Sequence, residues 1–128
     1  MTKQTTLVLG ASPKKERYSH KAATMLQEYG YSVELFGRSS GFIGGNVINT
    51  DIQQIDLSKI HTVTLYLSPK NQLPFIDIIL KMKPQRVIFN PGTEHPEFYS
   101  HLSEQGVFYE EACTLVLLSS GQYESATQ

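Results

Sequence analysis

Thr5-Thr6-Leu7-Val8-Leu9-Gly10-Ala11-Ser12-Pro13 decides the fold class. A short β-prone apolar run stopped by a glycine reads as a buried strand, and the small residues after it read as a turn. Downstream, Ala22, Met25, Leu26 and Tyr29 fall at i, i+3, i+4 and i+7, one face of a helix. Gly30 stands where a C-terminal helix cap belongs. Ser32 to Phe36 is a second β-prone run. The distance between the two runs holds one crossover helix, so the stretch predicts a β-α-β unit that opens a parallel sheet.

The alternation continues to the end of the chain. Thr62 to Leu67 reads as a third strand ended by Ser68-Pro69, and Leu73, Ile76, Ile79 and Leu80 mark a helix closed by Lys83-Pro84. Arg86 to Asn90 reads as a fourth strand ended by Pro91-Gly92. Phe98 and Leu102 give the next helix its apolar face, Gly106 closes it, and Val107 to Tyr109 forms a short fifth strand. Gly37 to Thr50, with four glycines, reads as a loop. Ile52, Ile55, Leu57 and Ile60 form either a helical turn or a packed loop, and Thr114 to Ser119 either a final helical turn or a strand. The expected fold is α/β: a Rossmann-like, doubly wound, parallel five-stranded sheet of order 3-2-1-4-5 with helices on both faces. Its ligand site is expected at the carboxyl ends of the strands, near the switch point between strands 1 and 4.

Composition narrows the function. The chain has 128 residues, 40% of them hydrophobic and 18% charged, enough for one packed domain spanning 1–128. Net charge is −1, which argues against a dedicated binder of nucleic acid or of an anionic membrane. A lone cysteine excludes an internal disulfide and a cysteine zinc cage. No apolar run reaches membrane-spanning length and the N-terminus lacks a signal-peptide pattern, so a cytoplasmic domain is expected. The charge is uneven, however. All 11 basic side chains lie within residues 1–93, and the last 35 residues carry glutamates without a lysine or arginine. The basic part is suited to hold an anion.

The residues at the strand ends carry the chemistry. Gly10, Ala11, Ser12 and Pro13 follow strand 1, and amides at the start of the following helix attract phosphate, with the Ser12 hydroxyl as an added donor. The dinucleotide fingerprint G-x-G-x-x-G is absent, since Ser12 and Lys15 stand where glycines would. Gly37-Arg38 follows strand 2 in place of the acidic residue that binds a ribose hydroxyl, which suits a ribose bearing an extra phosphate. Lys14, Lys15, Arg17 and Lys21 add positive charge around the first turn, with only Glu16 opposing them. Ser68-Pro69 and Asn90-Pro91-Gly92 complete the set of strand-end turns. His20, His61, His95 and His101 lack metal-ligand spacing, and no G-x-S-x-G elbow is present. Cys113 sits in an apolar setting that reads as a buried thiol.

Val8-Leu9-Gly10-Ala11-Ser12-Pro13-Lys14-Lys15-Glu16-Arg17-Tyr18-Ser19 resembles the opening motif of the small stand-alone CoA-binding proteins, whose fold is that of the CoA-binding domain of the succinyl-CoA synthetase α subunit. Gly30-Tyr31-Ser32-Val33-Glu34-Leu35, Tyr66-Leu67-Ser68-Pro69 and Asn90-Pro91-Gly92-Thr93-Glu94 resemble later segments of that family in order. The resemblance implies coenzyme A or an acyl-CoA as the cofactor, bound without catalysis. It implies the diphosphate on Gly10 to Pro13 and the first helix, and the 3′-phosphate on Arg38, Lys14 or Arg17. It further implies Ser68, Pro69, Asn90, Pro91 and Gly92 as flanking contacts, with the Tyr66 to Pro69 turn on the adenine and ribose side; Gly37 joins them as a strand-end residue, where the family often has an Asn-Pro pair instead of Gly37-Arg38. The family also has a cysteine after the last strand, so Cys113 is a candidate for a mixed disulfide with the ligand thiol. The synthetase's phosphohistidine is absent, and its ligase activity is not implied. Two other readings stay open: a small NADP-binding oxidoreductase-like domain, and a protein-interaction module that keeps the fold and uses its acidic C-terminal third as a contact face.

Overall fold

The computed structural model describes residues 3–124. Strand β1 (Lys3–Leu9) lies at the centre of a seven-stranded sheet of order β3-β4-β2-β1-β5-β6-β7. Its parallel neighbours are β2 (Tyr31–Phe36) on one side and β5 (Ile60–Leu65) on the other. Strands β6 (Arg86–Phe89) and β7 (Tyr109–Glu111) continue outward in parallel from β5. Helices cover both faces, and the strands alternate between them. Val8 and Ile88 pack with Ala23 and Leu26 of α1 (Tyr18–Glu28) and with Leu117 and Leu118 of α5 (Thr114–Ser119). Leu7, Leu9, Val87 and Phe89 pack with Ile79 of α3 (Ile76–Met82) and with Phe98 and Leu102 of α4 (Pro96–Glu104). The four residues of β6 are all buried, as befits a sheet covered on both sides.

The expected count of five strands and their expected order are both corrected. The glycine-dense stretch from Gly37 is not all loop. It folds into β3 (Gly41–Ile43) and β4 (Asn46–Asn49), an antiparallel pair turned at Gly44-Gly45. Strand β4 adds in parallel to β2 and takes the position that the order 3-2-1-4-5 gave to Thr62–Leu67. The Thr62 strand lies instead directly beside β1, so the switch point falls between β1 and β5. Ile43 and Ile48 are the buried residues that hold the hairpin to the core.

Other boundaries move by smaller amounts. Strand β5 ends at Leu65 rather than Leu67, and β7 starts at Tyr109 rather than Val107. The helix around Leu73 is interrupted: α2 (Pro69–Gln72) passes through a 3-10 turn, Leu73–Phe75, before α3. Pro74 lacks the amide that a continuous helix needs. The Ile52–Gln54 and Leu57–Lys59 segments are 3-10 turns, with the Gln53 and Ser58 amides donating to the side chains of Asp51 and Asp56. Of the two readings of Thr114–Ser119, the helix holds. Among the described residues, no helix is long and apolar enough to cross a membrane.

Candidate functional site

The C-terminal ends of the central strands converge on one edge of the sheet, and the turn after β1 is shaped by two glycines. Gly10 has φ +106°, and a Cβ there would lie 3.0 Å from the Tyr66 carbonyl group. At Gly37 a Cβ would collide with the Ala11 carbonyl. The ends of β1, β2 and β5 therefore approach more closely than any larger residue permits. The amides of Gly10 and Ala11 both donate to the Phe36 carbonyl, at 2.9 and 2.8 Å. They knit β1 to β2 and are engaged within the protein.

Residues 10–17 form a loop, and α1 starts only at Tyr18. The Ser12 hydroxyl accepts from the Lys14 amide at 3.1 Å, which leaves its proton free to donate outward. His20 Nδ1 lies 2.9 Å from the Ser12 carbonyl and braces the loop against the helix. The first amides of α1, at Tyr18 and Ser19, have no carbonyl one turn earlier within the helix to accept from them. Arg17 occupies the N-cap without a side-chain cap.

These elements border a trough made of three adjoining clefts. The largest, about 450 Å³, runs from Lys14, Arg17 and Arg38 across Ser12 to Ser68 and Asn71. Among the described residues that line it there is no carboxylate. A second cleft of about 220 Å³ lies over the start of α1, between Ser12, Ser19 and Tyr18. It shares Gly10, Ser12, Arg17 and Tyr66 with the first. The third, about 310 Å³, is walled by Tyr18, Tyr66, Pro91, Cys113 and Leu115, with Asn90 at its edge, and shares Tyr18 and Tyr66 with the second. One end of the trough is thus basic and the other apolar, with helix amides between them.

Gly10, Ala11, Ser12, Pro13, Lys14, Arg17, Arg38 and Ser68 all line the basic cleft, and Asn90 and Pro91 line the apolar one. Gly37, Pro69 and Gly92 border none of the three. Gly37 is buried behind the β1 turn, Pro69 begins α2, and the Gly92 amide donates to Glu94 Oε1 at 2.9 Å. Asn90 is a fully engaged strut. Its Nδ2 donates to Thr64 Oγ1 and to the Leu65 carbonyl, and its Oδ1 accepts from the Thr114 amide. Buried Gln72 ties the turns after β5 and β6 together, donating to the carbonyls of Leu67 and Thr93 and meeting His95 Nδ1 at 2.9 Å.

Tyr66 is the residue that sequence reasoning leaves without its central position: it borders all three clefts. Reading β5 two residues too long directs attention to Ser68-Pro69, whereas the strand end itself delivers Tyr66. Burial pushes its phenol well above the ordinary tyrosine range, against the opposing pull of the Thr114 and Thr64 hydroxyls beside it. Tyr18 is likewise central. It is 69% exposed between the second and third clefts, with Lys21 Nζ 5.3 Å from its ring centroid. Ser39, Asn71 and Leu115 complete the walls, and only their place beside strand ends marks them in the sequence. Cys113 is half-buried at the start of α5 and lines the apolar cleft rather than lying sealed in the core.

The family model of the CoA binding domain matches residues 4–119. A solved structure described only as an uncharacterized protein is 42% identical, covers 96% of this chain and 100% of its own, and superposes with a TM-score of 0.89. A hypothetical protein from Pyrococcus horikoshii OT3 is 27% identical over 89% of this chain and 80% of its own, with a TM-score of 0.77. A protein from Thermus thermophilus, 22% identical over 94% of this chain and 90% of its own, shares the fold with a TM-score of 0.80. No curated protein matches the chain.

Proposed function

The chain belongs to the CoA binding domain family, and from that premise we propose that it binds coenzyme A or an acyl-CoA along the trough at the strand ends, as a carrier or sensor without chemistry of its own. The observation that carries this reading is the polarity of the trough. A basic cleft, helix amides and an apolar cleft follow one another and are joined by Gly10, Arg17, Tyr18 and Tyr66. Coenzyme A has the same sequence of parts: a phosphorylated ribose, a diphosphate, and a pantetheine arm ending in a thiol.

In this reading the 3′-phosphate lies against Arg38 and Lys14, where an arginine fork pairs well with phosphate oxygens. The adenine and ribose lie along the Ser68 and Asn71 side. The diphosphate is held by Arg17, the Ser12 hydroxyl and the first amides of α1, since the Gly10 and Ala11 amides are engaged with Phe36. The arm then runs past Ser19 and Tyr18, and its thiol end reaches the mouth of the apolar cleft.

The test is thermal denaturation with CoA, dephospho-CoA, NADP and NAD. A ligand at 100 times its Kd adds about 2.7 kcal/mol of stability. CoA is expected to raise the melting temperature most, dephospho-CoA less, and the nicotinamide dinucleotides least. Stabilisation by NADP without CoA would replace this reading with the oxidoreductase-like one. No stabilisation by any of them would favour an interaction module.

A further inference from the structure

The apolar end of the trough differs in chemistry from the rest, and the difference says what enters it. Its walls are the rings of Tyr18 and Tyr66 with Pro91, Cys113 and Leu115. Its buried polar side chains are already partnered inside the protein. Asn90 gives both amide hydrogen bonds to Thr64 and Leu65 and takes one from Thr114. The Thr64 and Thr114 hydroxyls bond each other at 2.7 Å, and the Tyr66 phenol lies beside them. An amide of a pantetheine arm that enters past Tyr18 loses its water and finds these buried groups taken, whereas hydrocarbon loses nothing. The exposed Tyr18 ring and the half-buried Tyr66 and Leu115 are apolar surface that an alkyl chain would remove from water.

We infer that the physiological ligand is an acyl-CoA rather than free CoA, with a short aliphatic acyl chain seated between Tyr18, Tyr66 and Leu115. This rests on the trough being the CoA site. The amides of the arm stay at the mouth of this cleft beside Ser19 and Tyr18, past the diphosphate on Arg17 and Ser12, and only the chain beyond the sulfur enters. Size sets the chain length. A dry cavity of about 150 Å³ accepts the six carbons of benzene, and a cleft of about 310 Å³ that is open on one side and also takes in the thioester suits on the order of six to eight carbons.

Calorimetric titration of the unmodified protein with CoA, acetyl-CoA, butyryl-CoA, hexanoyl-CoA and dodecanoyl-CoA tests the inference. Each methylene buried is worth up to about fourfold in affinity, and about twofold where the wall is open. Hexanoyl-CoA is therefore expected to bind tighter than acetyl-CoA by roughly 15-fold or more, with little further gain at dodecanoyl. Leu115→Gln and, separately, Tyr18→Ala are expected to flatten this gradient, read as the ratio of hexanoyl-CoA to CoA affinity within each variant. If CoA binds and the acyl-CoAs bind no tighter, the acyl inference is overturned while the CoA site stands. If the gradient survives both substitutions, the chain lies elsewhere and the assignment to this cleft is overturned. If none of these ligands binds, the reading of the trough itself falls, and the acyl inference with it.

Discussion

Arg38 and Arg86 carry the same charge into opposite surroundings, and each makes a prediction. Arg38 is exposed on the rim of the basic cleft, with no carboxylate paired to it among the described residues. Arg38→Ala is expected to weaken CoA binding by about 5- to 30-fold and leave dephospho-CoA nearly unchanged, because the lost partner is the 3′-phosphate. Calorimetry at low and high salt checks this, and the difference should shrink as salt screens the pair. Equal losses for both ligands would move Arg38 to the diphosphate. Arg86 is 0% exposed, at the opposite end of the sheet. Its Nη1 donates to the Tyr123 carbonyl at 2.9 Å and to Glu110 Oε2 at 3.3 Å, and its guanidinium lies 4.3 Å from the Tyr123 ring centroid. Removing it leaves a buried carbonyl without a donor and a carboxylate without its counter-charge. Arg86→Ala is expected to cost about 3 kcal/mol or more in urea denaturation, and Arg86→Met less, since a methionine fills the volume without burying a charge. A loss below about 1 kcal/mol for Arg86→Ala would show that the clamp contributes little.

The β3/β4 hairpin is held from a distance, which gives it both a test and a reason for escaping sequence reading. Gln27 of α1 donates from Nε2 to the Ile43 carbonyl and to Asn46 Oδ1, both at 2.8 Å, and Asn46 Nδ2 reaches the Val33 carbonyl at 3.3 Å. Gln27→Ala is expected to cost about 1–2 kcal/mol. Hydrogen exchange should locate the loss at Asn46–Asn49, leaving β1, β5 and β6 protected. Protection lost evenly over the sheet would mean that the hairpin is not a separate unit. The central strands were legible because Leu7 to Leu9 and Val87 to Phe89 are continuous apolar runs, the signature of strands buried on both faces, and because Thr62 to Leu65 is β-branched or apolar throughout. Helix α1 was legible from its periodic face and Gly30. The hairpin was not, because its strands are three and four residues long, Ile43 and Ile48 are its buried anchors, and its glycines read as loop. The same limit explains the strand order: once the hairpin is missed, the outer position beside β2 has no other candidate. The site followed the strand ends, so Gly10, Ser12 and Arg38 were legible, while Tyr66 was hidden by two residues' error in where β5 stops. That β1's turn amides bond to Phe36 is a fact of packing between distant segments, and no local pattern encodes it.

At the scale of the molecule, the two ends of the sheet are held by different physics, and pH separates them. The edge at the carboxyl ends of the strands gathers Lys14, Arg17 and Arg38. The opposite edge packs His61, at the start of β5, against Thr62 and near Arg86. Burial, and then the Arg86 charge, hold the His61 imidazole below its ordinary value of 6.5. A histidine depressed in the folded state is neutral there while the unfolded chain takes up a proton first. Stability is therefore full above about pH 6.5 and falls as pH drops from that value toward the folded-state value. Asp56 acts in a lower window. Hydrogen bonds from the Ser58 hydroxyl and amide hold its carboxyl below the ordinary range, so its contribution is lost only as pH falls below about 4. Lys59, raised mainly by its hydrogen bond and charge pairing with Glu34 at 2.8 Å, contributes up to strongly alkaline pH and nothing to the neutral window. Between pH 7.5 and 5 His61 thus makes stability fall as pH falls. Urea midpoints are expected to carry that fall in the unmodified protein. His61→Gln, which keeps a hydrogen-bonding partner for Thr62 but cannot take a proton, should make the fall smaller. An unchanged slope in His61→Gln would place the titrating group elsewhere, and a slope of the opposite sign would mean that the folded state binds the proton more tightly than the unfolded chain does.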